Sequence, residues 1–164
     1  MRKVEFVPFR LTENVDIYSI RIDEKEKTEF QEFLIHFKDT GSKYLTDDFN
    51  RILKSINTII LGSAKENYFR PEGNMDDRVL ALPLYTTPRN KDKYGTLRLY
   101  CIRVSGTLLI LGGGGEKTTQ TYEEDIYLLD KVRTLQSIDN ELKQLEEDGE
   151  DIQASINNII IQIP

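Results

Sequence analysis

One stretch near the middle of the chain, residues 96–122, constrains the fold more than any other. Its sequence, TLRLYCIRVSGTLLILGGGGEKTTQTY, holds two apolar segments that are separated by a Ser-Gly pair. Apolar segments on either side of such a pair are typical of a β-hairpin, so we predict strands over 97–104 and 107–111. The four glycines at 112–115 then predict a flexible exit from the hairpin into a polar loop.

The segments on either side of this hairpin have helical periodicity. Apolar residues recur at three- and four-residue spacing over 25–38, 45–62 and 122–147, which predicts three helices. Suitable N-caps are Thr46 or Asp47 for the second helix and Thr121 for the third. The segments 15–23 and 78–84 have the composition of further strands.

The order of these elements predicts an α+β domain over residues 1–148, followed by a C-terminal tail over 149–164. Two N-terminal helices would pack on one face of a mostly antiparallel sheet, and the long C-terminal helix would follow the sheet. The tail ends in NIIIQIP, which is either a short strand or an apolar patch covered by a partner.

Composition excludes several classes of protein. Hydrophobic residues make up 38 % of the 164 residues and charged residues 30 %, which is typical of a soluble domain with a real core. No apolar run could span a bilayer, and the N-terminus lacks the apolar core of a signal peptide. With one cysteine and one histidine, neither an internal disulfide nor a zinc site is available. We therefore predict a cytoplasmic protein without a metal, another cofactor or a membrane partner.

Charge is distributed unevenly along the chain. The net charge of −6 argues against indiscriminate binding to nucleic acid. Residues 65–117 nevertheless carry nine basic and six acidic side chains, whereas residues 118–164 carry three basic and 11 acidic ones. The basic excess therefore coincides with the hairpin, and the acidity is concentrated in the C-terminal part of the chain.

The hairpin and the loop that follows it carry a family resemblance. Its motifs are Arg98-Leu99-Tyr100, the apolar strand over 108–111, and the loop Lys117-Thr118-Thr119-Gln120-Thr121. These motifs, and the order of elements over residues 15–136, resemble the RelE/ParE superfamily of toxins from bacterial toxin–antitoxin pairs, in its HigB-like, phage-derived branch.

The resemblance implies a RelE-like fold and a toxin that a cognate antitoxin, expected to be of the helix-turn-helix type, holds inactive. Members of the RelE branch cut messenger RNA on the ribosome, whereas ParE members poison DNA gyrase. In the RNA-cutting branch, a ribose 2′-hydroxyl attacks the adjacent phosphate, and arginine and lysine side chains take the place of a histidine base. Ribosome and messenger RNA are therefore the implied partners.

The resemblance assigns three cations to catalysis: Arg98, Lys117 and Arg78. Arg98 would hold the phosphate, and Lys117 precedes a helix N-terminus, which favours an anion. Arg78 would replace the strand arginine that the family has where this chain has Pro83.

Each of these three cations also has a structural interpretation. Arg98 would then pair with an acid on the sheet, and Lys117 would be a solvated loop residue. Arg78 would pair with Asp76 or Asp77.

Five further residues are candidates for RNA binding: Arg70, Arg89, Lys91, Lys93 and Tyr122. The three cations of the loop over 86–95 would follow a phosphate backbone, and Tyr122 would stack on a base. The alternatives are a turn arginine at position 70, a solvated loop over 86–95, and packing at the start of the last helix.

Two other functions compete with the nuclease. Pro83, the net acidity and Glu116, which stands where the family has a lysine, favour a toxin-like protein that acts by binding a partner without catalysis. A structural or regulatory protein that forms oligomers through its last helix and isoleucine-rich tail is the third hypothesis.

Overall fold

Two strands, two helices, four strands, two helices and a last strand follow one another in a computed structural model. It describes residues 1–72, 76–118 and 122–164, the last range without the side chains of 122–125. The strands are β1 (Arg2–Leu11), β2 (Asp16–Ile22), β3 (Arg70–Pro71), β4 (Val79–Leu82), β5 (Thr96–Ser105), β6 (Leu108–Lys117) and β7 (Ile160–Ile163). The helices are α1 (Glu29–Phe37), α2 (Lys43–Leu61), α3 (Tyr122–Glu147) and α4 (Ile152–Ser155).

The strands form one sheet in the order β3-β4-β5-β6-β2-β1-β7. Every neighbouring pair is antiparallel except β2 with β6, which run parallel. The prediction of an α+β fold with a mostly antiparallel sheet and a C-terminal helix is confirmed.

Helices cover both faces of the sheet. Along β5, Leu99 and Cys101 pack in the core shared with α1 and α2, whereas Tyr100 and Ile102 pack in the core shared with α3. The prediction that the helices lie on one face is wrong, because the central strands are apolar on both sides. A strand of that composition requires a layer of side chains on each face.

The glycine run belongs to β6, and the prediction of a flexible exit is wrong. Leu99 pairs with Gly114 and Cys101 with Leu111, so two residues of β6 lie opposite one of β5 in a β-bulge. A Cβ atom added to Gly114 would lie 1.9 Å from the backbone oxygen of Arg98. The missing side chain therefore permits a close approach of two backbones, which is one of the uses of glycine in a strand.

Helix boundaries follow local capping. α3 spans the residues predicted for it, while Thr121, its predicted cap, lies outside the described residues. α1 begins later than predicted because Thr28 and Gln31 form a capping box that ends the preceding turn. Ser42, rather than Thr46 or Asp47, caps α2.

The C-terminal tail contains α4 and β7. β7 pairs antiparallel with β1, from Arg2 opposite Ile163 to Glu5 opposite Ile160. Ile161 and Ile163 are buried. Of the two interpretations of this tail, the strand is confirmed.

Candidate anion-binding site

Three of the predicted cations, Arg70, Arg98 and Lys117, lie on the α3 side of the sheet. Arg98 pairs with Gly115 and Thr96 with Lys117, so Lys117 is two residues from the partner of Arg98 and on the same face. Arg70 pairs with Ala81, which in turn pairs with Tyr100. The hairpin and the short strand β3 thus bring separate parts of the chain to one face.

Arg98 pairs with an acid, as in its structural interpretation, and that acid is Glu72, which directly follows β3. Its Nη1 donates a hydrogen bond to Oε1 of Glu72 over 2.5 Å, and the two side chains are 11 % and 19 % exposed. Within the described residues, the buried Nε atom of Arg98 has no hydrogen-bond partner. A guanidinium so far removed from water requires a counter-charge, which Glu72 supplies.

Tyr100 lies beside this ion pair and is 2 % exposed. Burial, and secondarily the charge of Glu72, raise the pKa of Tyr100 to about 12, although Arg98 and Arg70 act in the opposite direction. Its phenol therefore stays protonated at neutral pH.

The raised pKa of Tyr100 predicts a loss of stability at high pH. Below the ordinary pKa of 10 the phenol is neutral in both folded and unfolded chains. As the pH rises from 10 towards 12, only the unfolded chain releases the proton, so the free energy of unfolding falls. We expect Tyr100→Phe to lack this part of the fall, measured by urea denaturation across that pH range. An identical decline in both proteins would contradict the assignment.

Lys117, Lys91 and Lys93 are exposed. In the ranges that the structure describes, none of the three forms a salt bridge. Lys93 instead lies 5.5 Å from the ring centroid of Tyr94. These lysine side chains therefore remain accessible at the surface.

Arg78 lies away from the other candidate residues. Its backbone oxygen accepts a hydrogen bond from the backbone N–H of Arg103. Arg103 lies five residues along β5 from Arg98, and that length of extended strand spans roughly 17 Å. The guanidinium makes 2.8 Å salt bridges to Asp139 and Glu146 of α3. Burial alone would lower its pKa, and these two carboxylates more than offset that, so the pKa of Arg78 is raised.

The structural interpretation of Arg78 named the wrong partners. Asp77 accepts hydrogen bonds from Gln136 of α3 and from the backbone of Val79, and Arg78 reaches past it to the helix. Arg78 therefore joins α3 to the edge of β4.

Arg89 is the cation whose surroundings differ most from those inferred. Its side chain and that of Asp48 on α2 are both 0 % exposed, and two hydrogen bonds of 2.6 and 2.9 Å join them. Further donors reach the backbone oxygens of Gly95 and Thr87. The loop over 86–95 is therefore anchored by this arginine, whose buried side chain does not reach the surface where a phosphate backbone could bind.

The side chain of Tyr122 lies outside the described residues, so its role in stacking on a base stays a prediction.

The sequence did contain a signal for Glu72. It follows Arg70 by two residues, and alternate residues of an extended segment lie on one face.

No family model, curated protein or solved structure matches this chain. Within residues 1–72, 76–118 and 122–164, no group of three or more His, Cys, Asp or Glu residues is placed to hold a metal ion. None of the helices in those ranges combines the length and the apolarity needed to cross a membrane. The chemistry of the anion-binding site is therefore the basis for a function.

Proposed function

We propose that this chain is the toxin of a RelE-like, HigB-like toxin–antitoxin pair and acts as a ribosome-dependent endoribonuclease on messenger RNA. Its activity would be exerted in the cytoplasm and restrained by a cognate antitoxin. The observation that carries the proposal is the shared face of Arg70, Arg98 and Lys117, which come from three different strands. Each is suited to a phosphate group.

The chemistry follows from these groups. Attack of the ribose 2′-hydroxyl forms the bond from O2′ to phosphorus and breaks the bond from phosphorus to O5′. The hydroxyl proton passes to water and O5′ takes a proton from water, so the products are a 2′,3′-cyclic phosphate and a 5′-hydroxyl. Negative charge grows on the phosphate oxygens in the transition state. The planar guanidinium of Arg98, held by Glu72, would offset that charge with directed hydrogen bonds, and exposed Lys117 would act as a point charge.

A second candidate function has its own support. Glu72 already neutralises Arg98, and Glu116 lies next to Lys117 in the chain, so the local positive charge is small. A toxin-like protein that blocks its target by binding, without cleaving RNA, would need less of that charge.

Expression in bacterial cells tests the two functions. We expect growth arrest with cleaved messenger RNA, and we expect Arg98→Ala or Lys117→Ala to lower the cleavage rate about 10²-fold or more, as removal of one charge-stabilising donor does. Arg51→Ala and Lys54→Ala, exposed cations of α2, are the matched controls and should leave arrest unchanged.

Three results would contradict the nuclease proposal. Arrest that persists in both site variants, without cleaved RNA, supports the binding protein instead. If the α2 control variants and the site variants lowered arrest and cleavage equally, the face that carries Arg98 and Lys117 would have no specific role in cleavage. An absence of arrest, with the folded protein present, would remove the toxin proposal altogether.

A further inference from the structure

Glu72 fills the position on Arg98 that a phosphate group would take. Nη1 of Arg98 donates a hydrogen bond to Oε1 of Glu72, which directly follows β3. A carboxylate and a phosphate present the same kind of charged oxygen acceptor to a guanidinium. The anion-binding site therefore already holds an anion, and that anion belongs to the chain itself.

Arg98 has little surface left for a second anion. Its side chain is 11 % exposed, and that of Glu72 is 19 % exposed. Gly115 lies opposite Arg98 on β6, and a Cβ atom added there would be 3.0 Å from Cδ2 of Leu128. Side chains of α3 thus cover the neighbouring surface of the sheet. A phosphate that binds Arg98 must therefore take the place of the Glu72 carboxylate.

Lys117 can bind a phosphate without any such exchange. It is exposed, and in the described ranges it forms no salt bridge. It lies two residues along β6 from Gly115, the partner of Arg98, and diagonal neighbours of this kind are about 7–8 Å apart. The two cations therefore form adjacent subsites, of which only the one at Arg98 is filled by an acid of the chain.

This difference affects ligands with one phosphate and ligands with two phosphates unequally. A single phosphate from solution binds Lys117, and it reaches Arg98 only by breaking the ion pair with Glu72 unaided. When a second phosphate is linked to the first, binding at Lys117 holds that second group beside Arg98 at a high effective concentration. Its charge-assisted hydrogen bonds to the guanidinium then replace the bond from Arg98 to Glu72.

We propose that Glu72 determines the ligand specificity of this face, because it excludes single phosphate groups from Arg98 and admits a strand with at least two neighbouring phosphates. The inference rests on the proposed function, since it concerns the same anion-binding site. It adds the class of ligand that the site selects, which is a single-stranded nucleic acid and not free phosphate.

The test uses the full chain and three probes: inorganic phosphate, the thymidine dinucleotide with one phosphate, and the thymidine trinucleotide with two. Both nucleotides lack the 2′-hydroxyl that cleavage requires. The NMR signals of the Arg98 side-chain Nε–H and the Lys117 amide report on the two subsites. We expect the trinucleotide to shift both signals and to bind at least about tenfold more tightly than the dinucleotide, a gain well below the upper range for linked sites. Inorganic phosphate should leave the Arg98 signal unchanged.

Two variants separate the role of Glu72 from that of net charge. Glu72→Gln keeps a hydrogen-bond acceptor for Arg98 but removes the competing charge. We expect inorganic phosphate to shift the Arg98 signal in this variant, with a Kd at least about tenfold lower than in the wild type. Glu66→Gln is the matched control, because it removes an equal charge from an exposed acid in the turn before β3, and it should leave every Kd unchanged. The comparison of the two nucleotides on the wild type needs no variant and stands even if Glu72→Gln does not fold.

Two results would overturn this inference alone. One is a difference of no more than about twofold between dinucleotide and trinucleotide, which the number of phosphates explains without linkage. The other is binding of inorganic phosphate at Arg98 with the same Kd in the wild type and in Glu72→Gln. If no probe shifts either signal in the wild type or the variant, the face binds no phosphate, and the proposed function fails together with the inference.

Discussion

Replacing Asp48 by asparagine is expected to lower the free energy of unfolding by about 3–5 kcal/mol, the range for removal of one partner of a buried ion pair. Asp48 and Arg89 are both fully buried, and the carboxylate of Asp48 also accepts a hydrogen bond from the backbone of Leu97. Asparagine keeps the shape but leaves the guanidinium of Arg89 without a counter-charge. Urea denaturation followed by circular dichroism measures the change.

The neighbouring Asp47→Asn is the matched control. Asp47 is partly exposed and forms no salt bridge within the described ranges, so its replacement should change stability by less than about 0.5 kcal/mol. The double variant Asp48→Leu, Arg89→Met removes both charges, and we expect it to be more stable than Asp48→Asn alone. Equal stability of the Asp47 and Asp48 variants would show that the pair does not hold the loop.

Replacing Gly114 by alanine is expected to destabilise the sheet by about 3 kcal/mol or more, at or above the upper end for overpacking of a core. The added Cβ would lie 1.9 Å from the backbone oxygen of Arg98 and 2.9 Å from the Cα of Leu99. Backbone atoms at that distance cannot move aside without breaking the pairing of β5 with β6. Urea denaturation and amide hydrogen exchange of β5 would report the loss.

Gly113→Ala is the control within the same glycine run. Its Cβ would come no closer than 3.3 Å to Cδ of Lys131, which belongs to a flexible side chain. We expect a change below about 1 kcal/mol, since a flexible neighbour can move by a few tenths of an ångström. The prediction would be wrong if the two alanine variants proved equally stable.

The role of the glycine run could not be predicted from the sequence. A run of glycines is consistent with a flexible loop and with a strand in close contact with its neighbours. What distinguishes the two is the position of atoms such as the backbone oxygen of Arg98 and the side chain of Leu135. Those atoms come from β5 and α3, whose positions no local pattern specifies.

The cations of the candidate site also differ in how far the sequence predicted their surroundings. Only the family resemblance linked Arg98 to Lys117, because the sequence pattern ended the second strand at Leu111 and left Lys117 in a loop, whereas β6 extends to Lys117. Arg89 and Arg78 could not be placed, since their partners Asp48 and Asp139 lie 41 and 61 residues away. The sequence shows that a cation is present, but only the folded structure shows whether a distant acid neutralises it.

The sequence by itself determined the α+β class, the hairpin of β5 and β6, and the residues of α3. These features depend on periodicity, turns and propensities that act over a few neighbouring residues. Only the tertiary structure decided the parallel pairing of β2 with β6, the two helical layers and the partner of each arginine. Such features depend on which distant segments exclude water from one another, and that outcome belongs to the folded chain as a whole.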